Sequence, residues 1–386
     1  MKRRLAQLLA CPVDRQPLLL SDWQSETRQL TPADRARAEA LSIQPADLEH
    51  RVITGVLTNP RLRIAFPIVR GIPRLLVFPT PLHHSFRKEH ADRLRDELPG
   101  FSFPELPGAP GEMSVLQSFS TEWTNYDWDG KTYWNLTTEE WLRCMQVMLD
   151  LDTHSVRGKL VLEMGMGVGG TAHHLATNFG AEVVGVDLSS AVEVAQRHFD
   201  HAPFFHVVQA SVFSPPVAEA SIDFAYSFGV IHHTYSTKAA FDQICRLPRP
   251  GGRLYVWVYS HLDERRDAIR RFLMHFENLT RPLISRLPGP LQTVTLLPLV
   301  PLYMGFQALR KLRTGGGQSF YGMREALHAA RDRFTPRFIH RHDEHELMAW
   351  FRAAGFDELE GSPHGRSEGV PEAFLACAAV SGRRVR

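Results

Sequence analysis

Between residues 159 and 259 short apolar runs alternate with longer amphipathic ones. KLVLEM, EVVGVDL and the runs at 204–208, 222–226 and 253–259 are short and almost wholly apolar, the pattern of strands buried on both faces. TAHHLATNFG and SSAVEVAQRHF fall between them, with Gly180 closing the first helix and Ser189 or Ser190 capping the second. Buried strands separated by helices predict an α/β fold with a parallel sheet covered on both sides. The pattern resumes in HDEHELMAWFRAAGF, where Asp343 and Glu346 make a capping-box-like start and Gly355 a stop. Two last strands are expected near 357–360 and 373–380.

The flanks read differently. Residues 1–80 hold apolar stretches at 18–20, 52–57, 62–69 and 75–78, punctuated by Pro and Gly, which predicts a small α+β module of short strands with a helix somewhere in 21–50. Residues 81–150 follow as a Pro/Gly-rich linker (98–111) and a cap rich in tryptophan, with Trp123, Trp128, Trp134 and Trp141 close together. Such aromatics suit either packing on the next domain or a lid over a ligand. The core is expected over 151–260 and again over 336–386, separated by an insertion at 261–335. That insertion carries a basic run and then the apolar stretch 283–309, broken by Pro288, Pro290, Pro298 and Pro301. Four prolines argue against a membrane-spanning helix, and short broken helices covering an acceptor pocket are expected instead. Docking on a membrane surface or on a second subunit is kept as an alternative use.

Composition narrows the class. A 386-residue chain with a formal net charge of +2 does not suggest a nucleic-acid partner. The four cysteines, Cys11, Cys144, Cys245 and Cys377, are scattered too widely for a disulfide framework or a metal knuckle, so a cytoplasmic setting is expected. The apolar run at the start is too short and too soon interrupted for a signal peptide.

The turn after the first core strand reads Glu163-Met-Gly165-Met-Gly167-Val-Gly169-Gly170. Glycines there let a ligand approach the backbone, and the next helix offers unpaired N–H groups. Asp187, at the end of the second strand, can accept both hydroxyls of a ribose. Gly165, Gly167 and Gly170 also satisfy a dinucleotide fingerprint, but Glu163 suits an ammonium and ill suits a pyrophosphate. S-adenosyl-L-methionine has a cationic amino acid tail where NAD has phosphates, so the acid selects it. In sequence and order, LVLEMGMGVGG, VVGVDLS, SIDFAYSFGVIHHT and LPRPGGRLYVWVY resemble the four motifs of the class I S-adenosylmethionine-dependent methyltransferases. The resemblance implies a Rossmann-like fold with a seven-stranded, mostly parallel sheet and helices on both faces. It further implies a cofactor site of Glu163, Gly165, Gly167, Gly169, Asp187, Leu188, Ser211, Ser227 and Phe228, with Leu188 on the adenine. One departure stands out: where the family often has an Asp for the adenine amino group, VVQASVF has Ser211. QSFSTEW and DRFTPRFIHRH resemble blocks of a bacterial small-molecule branch.

The first 80 residues resemble the zinc ribbon of a tRNA-methyltransferase activator subunit through LLACPVDRQPLLL and AFPIVRGIPRLL. A ribbon needs four thiolates or imidazoles, and only Cys11 remains, with Asp14 at the next ligand position and TNPR in place of a second pair. No zinc is expected.

For chemistry, His232 and His233 follow the fourth strand, at the sheet edge where α/β ligands sit, and His232 is the first candidate base for an acceptor. Trp123, Tyr126, Tyr133 and His342 are candidate acceptor contacts. The His340, His342 and His345 cluster matches no strong metal signature and is flanked by Arg337 and Arg341. The expected function is methyl transfer to a small molecule, apolar acceptors included. Two rivals are a binding protein that keeps the fold without turnover, and an enzyme whose N-terminal module docks a protein or RNA.

Overall fold

The computed structural model describes residues 1–124, 136–261, 268–302, 304–305, 308, 322–361, 370, 372–375 and 377–385. Its strands are β1 (Leu19–Thr27), β2 (His50–Asn59), β3 (Ile64–Val69), β4 (Ile72–Leu75), β5 (Leu160–Met164), β6 (Glu182–Asp187), β7 (Phe205–Ala210), β8 (Ile222–Phe228), β9 (Pro248–Val258), β10 (Phe356–Gly361) and β11 (Ala378–Arg384).

The strands from β5 onward stand in the order β7-β6-β5-β8-β9-β11-β10. Five run parallel and β11 lies antiparallel between β9 and β10. This is the expected seven-stranded class I arrangement. The chain builds outward from β5 through β6 to β7, then crosses to β8 on the other side, so a crevice opens at the carboxyl ends of β5 and β8. Period-two alternation sends side chains to two separate layers. Leu162, Met164, Val184, Val186 and Val208 join one buried cluster with the helices Thr237–Ile244 and Glu344–Ala353. Val161, Val183, Phe205 and Val207 join another with Thr138–Met148, Gly170–Thr177 and Ala191–Phe199.

The sheet does not stop at β7. Strand β4 pairs parallel with it, Arg74 opposite Gln209 and Leu75 opposite Ala210, and β3, β2 and β1 follow antiparallel, giving eleven strands in one sheet. Leu5, Cys11, Val52, Leu57 and Phe66 of the first module share a buried cluster with Leu162 and Val184 of the core. Polar ties cross the same seam. Lys2 Nζ donates to the Phe205 carbonyl at 2.6 Å, Arg4 Nε bonds Glu182 at 2.9 Å, and Arg37 bonds the carbonyls of Ala176 and Ala181. The polar segment 21–50 holds two helices, Pro32–Ala40 and Pro45–Glu49, with β1 reaching into it as far as Thr27.

The insertion is broken as its prolines require. Its helices include Ala268–Ile284, Gly289–Leu296 and Met323–Phe334, with Pro282 inside the first and Pro288 before the second. Among the described residues no helix is long and apolar enough to cross a membrane. The last strand begins at Ala378, later than expected, because Glu372–Leu375 takes a helical turn.

Candidate functional site

One cavity occupies the crevice. The glycine turn forms its floor: Glu163, Gly165, Gly167 and Gly170 line it, with Asp187 and Leu188 from the end of β6 and Phe228 from the end of β8. Gly165 has a φ of +89°, and a Cβ placed on it would meet Val230 at 2.2 Å, so only glycine fits. Gly169, at φ +82°, is the left-handed N-cap of the helix Gly170–Thr177 and does not itself line the cavity. Asp187 organises the turn: its carboxylate accepts the Gly167 N–H at 2.8 Å, the Ser189 N–H at 2.8 Å and the Ser189 hydroxyl at 2.6 Å. Ser227 donates to the Met164 carbonyl at 3.0 Å and so clamps β8 to β5 from beneath the cavity.

Glu163 is 6% exposed and its Oε2 has no hydrogen-bond partner, although the residue lines the cavity. Burial pushes its carboxyl up to about 8, with the Tyr226 hydroxyl offsetting part of the shift and Asp187 adding to it. A buried acid oxygen without a partner, facing a space walled by a glycine cradle, fits a cation with N–H donors.

The opposite wall comes largely from outside the motifs. Val115, Phe119, Glu122 and Trp123 recur at helical spacing on the helix Glu112–Thr124 and face the cavity. Trp123 covers the turn: a Cβ on Gly167 would meet its ring at 3.4 Å. Trp141 donates to the Thr171 hydroxyl at 3.1 Å and meets Phe228 edge-on at 5.8 Å, while Phe228 stacks on Trp257 at 4.5 Å.

The two histidines separate here. His233 lines the cavity; its Nδ1 donates to the Phe338 carbonyl at 3.2 Å, and its Nε2 stands 3.9 Å from Asp332. Tyr259 donates to the same Asp332 at 2.8 Å. His232 does not line the cavity. It is fully buried behind His233 and Tyr259, with ring centroids 4.1 Å from each, and neither ring nitrogen has a partner. Burial first, then its basic neighbours, push its pKa well below the ordinary histidine value. Of the two candidate bases, His233 is the one that reaches the cavity.

His342 is also placed elsewhere. Its backbone N–H bonds the Tyr259 carbonyl at 2.9 Å and its ring bonds Glu346 at 2.9 Å, so it ties the end of β9 to the helix Glu344–Ala353. Tyr126 and Tyr133 lie outside the described residues. None of the described residues of 283–309 lines the cavity, and Leu283, Leu291, Val294, Leu297 and Leu302 are exposed. What the insertion brings to the cavity is Asp332, from its last helix. Glu112, Phe119, Glu122, Tyr259 and Asp332 were not expected, since no local motif marks residues delivered by the fold from distant segments.

The zinc implied by the ribbon-like module does not fit its residues. Asp14 accepts from Asn59 Nδ2 at 2.8 Å, from Arg61 at 2.6 and 3.0 Å and from the Gln16 N–H at 3.2 Å. Burial raises the Asp14 pKa, but these donors outweigh it and hold the carboxyl at about 2. A guanidinium already supplies the positive charge, next to one buried thiol at Cys11, and this donor set cannot make a tetrahedral thiolate site. Among the described residues Asp150, His154 and Glu360 bring ligand atoms within 4.8 Å of one another, and both acids already interact electrostatically with Arg253.

Residues 162–256 match the family model described as "Methyltransferase domain", and residues 2–71 match the one described as "Trm112p-like protein". The chain carries a methyltransferase domain and a Trm112-like module. The domain's cofactor is S-adenosylmethionine. Among curated proteins the chain is similar to phosphoethanolamine N-methyltransferase 2 of Caenorhabditis elegans, 31% identical over 122 residues, covering 30% of this chain and 28% of that one. It is also similar to the O-methyltransferase rstn1 of Aspergillus nomiae, 32% identical over 106 residues, covering 26% of this chain and 47% of that one. The chain thus spans less than half the length of these relatives. Among solved structures it is similar to the 1,6-didemethyltoxoflavin-N1-methyltransferase of Burkholderia thailandensis, at 19% identity and a TM-score of 0.40, covering 73% of this chain and 92% of that one.

Proposed function

We propose that this protein transfers the methyl group of S-adenosylmethionine to a small-molecule acceptor held between His233 and the cavity face of the helix Glu112–Thr124. The observation that carries this reading is the continuity of the cavity. It runs from Glu163, the glycine turn and Asp187 to His233, Tyr259 and Asp332, so donor and acceptor can lie in line within one space.

In this reading Glu163 receives the ammonium of the methionine tail, the Gly165–Gly167 backbone lies along it, Asp187 holds the ribose hydroxyls and Leu188 packs on the base. The bound cofactor supplies an electrophilic methyl on a sulfonium. The chain's own part is to orient the acceptor and to keep water out, which the aromatic walls of Phe119, Trp123, Trp141 and Trp257 do. His233 is placed to take a proton from an acceptor O–H or N–H. Its Nδ1–H is committed to the Phe338 carbonyl, which leaves Nε2 unprotonated in the neutral ring. Burial lowers its pKa and Asp332 raises it, so the neutral form is the one present at pH 7.

The Trm112-like module has its inner edge, β4, already paired with β7 of the same chain. We read it as a built-in support for this domain, in preference to a dock for a protein or RNA. The test is transfer of label from methyl-labelled S-adenosylmethionine to a panel of small phenols, amines and carboxylic acids. The expected outcome is protein-dependent S-adenosylhomocysteine formation with at least one acceptor, lost in His233→Ala or reduced by about 100-fold or more. Cofactor binding without turnover of any acceptor would favour the non-catalytic reading.

A further inference from the structure

Of the carboxylates that line the cavity, the cofactor reading uses Glu163 and Asp187 and leaves Glu112 without a part. Glu112 is 5% exposed and opens the helix Glu112–Thr124, far in sequence from the glycine turn. Its position follows from the order of the strands. Glu163 is the last residue but one of β5, Asp187 ends β6 and Ala210 ends β7, so the three strand ends are successive steps across the sheet. A nucleoside whose tail lies at Glu163 and whose ribose lies at Asp187 therefore sends its base one step further, to the wall formed by Leu188, Ala210, Val212 and Phe213.

A purine that carries an exocyclic amine needs an acceptor at its edge, because an N–H buried without one loses its hydrogen bonds to water and regains none. The end of β7 does not offer a free one. The Ser211 oxygen accepts the Phe213 N–H at 3.0 Å, and its hydroxyl donates to Glu112 Oε1. The other Glu112 oxygen accepts the Ala109 N–H at 2.7 Å. Two donors thus fix the carboxylate in the wall, and each oxygen retains a lone pair, since a carboxylate can accept about four hydrogen bonds.

We propose that Glu112 reads the amino group of the cofactor's adenine, with Ser211 and the Ala109 N–H as positioning groups that hold its carboxylate. This assignment rests on the cofactor reading above. It gives Ser211 a role suited to its chemistry, orienting an acid that arrives from another element. It also gives the Pro/Gly-rich stretch before the helix a function, since its last turn delivers that acid. An ordinary alternative is that Glu112 only starts its helix by bonding Ala109.

The two are separated by base discrimination, which a capping role would not move. The full chain is titrated with S-adenosylhomocysteine and with S-inosylhomocysteine, in which a 6-oxo group replaces the amine. The wild type should prefer the adenosyl ligand by about tenfold or more. In Glu112→Gln the amide can accept from a 6-amino group or donate to a 6-oxo group, so the preference should fall to within about threefold. Glu112→Ala should lose the preference as well, and the isosteric Gln variant carries the measurement if the Ala variant does not fold. A wild type that binds S-adenosylhomocysteine without preferring it, or a preference kept in both variants, overturns the assignment alone. Failure of the wild type to bind S-adenosylhomocysteine overturns the cofactor reading and this assignment with it.

Discussion

Burial pushes the Glu163 carboxyl from an ordinary 4.5 to about 8, with the nearby Tyr226 hydroxyl opposing the shift and Asp187 reinforcing it. The native protein therefore holds a proton on Glu163 between pH 4.5 and 8 that the unfolded chain releases. Stability of the ligand-free protein should fall as pH rises through that window. Glu163→Gln removes this slope, so the variant should melt higher than wild type at pH 9 and not at pH 5. A cationic tail reverses the preference, because it favours the carboxylate. Binding of S-adenosylmethionine at pH 7 should expel about one proton, seen as a dependence of calorimetric enthalpy on the buffer's ionisation heat. No buffer dependence at pH 7 would mean that the ammonium sits elsewhere. Glu163, the glycines and Asp187 were legible in the sequence because a strand end, a turn and the next strand end are local features. Glu112 and Asp332 were not, since each reaches the cavity from a segment whose docking no local pattern encodes. The sequence put His232 before His233, but access to the cavity depends on which way a 3-10 turn points them, and it is His233 that lines it.

At the scale of elements, β4 is the joint between the two modules. It brings in Arg74, 1% exposed, which pairs with Glu193 and donates to Gln209 Oε1 at 3.1 Å. Gln209 in turn donates to the Leu188 carbonyl at 3.0 Å, so the module reaches the loop after β6, which lines the cavity, through two side chains. Arg74→Met should destabilise the protein by about 3 kcal/mol in denaturant unfolding, because it leaves Glu193 and Gln209 without their donor. A loss of less than about 1 kcal/mol would show that the joint is held by apolar packing alone. The core strands were legible because burial on both faces leaves runs with no polar alternation. The insertion was legible only in part. Its prolines forecast short helices; of its leucines, Leu296 turns into a buried cluster with Ile284, Ala330 and Phe334, while Leu283, Leu291, Leu297 and Leu302 are exposed. Amphipathic spacing marks a face of a helix and does not say what lies against it.

Across the whole molecule, what the sequence divides into a ribbon-like module, a linker and a core forms a single eleven-stranded sheet with buried residues shared across the seam. Composition shifts and Pro/Gly punctuation suggest boundaries, but pairing between β4 and β7 joins residues about 135 apart and leaves no signature in either segment. The Pro/Gly-rich stretch 98–111 is likewise held against the module, with Ser102 bridging Ile64 and the Leu106 N–H bonding the Val77 carbonyl at 2.9 Å. In the first module the metal of a zinc ribbon gives way to a hydrogen-bonded knot around Asp14, which keeps the loops together without thiolates. All of this supports one crevice, and the central claim is that the crevice holds S-adenosylmethionine. The most direct measurement is a calorimetric titration of the full chain with S-adenosylmethionine and, separately, with NAD. The account predicts binding of the first and none of the second, with Asp187→Ala weakening the first by about 2 kcal/mol through the loss of charged ribose contacts. Binding of NAD, or an affinity for S-adenosylmethionine that Asp187→Ala leaves unchanged, would contradict it.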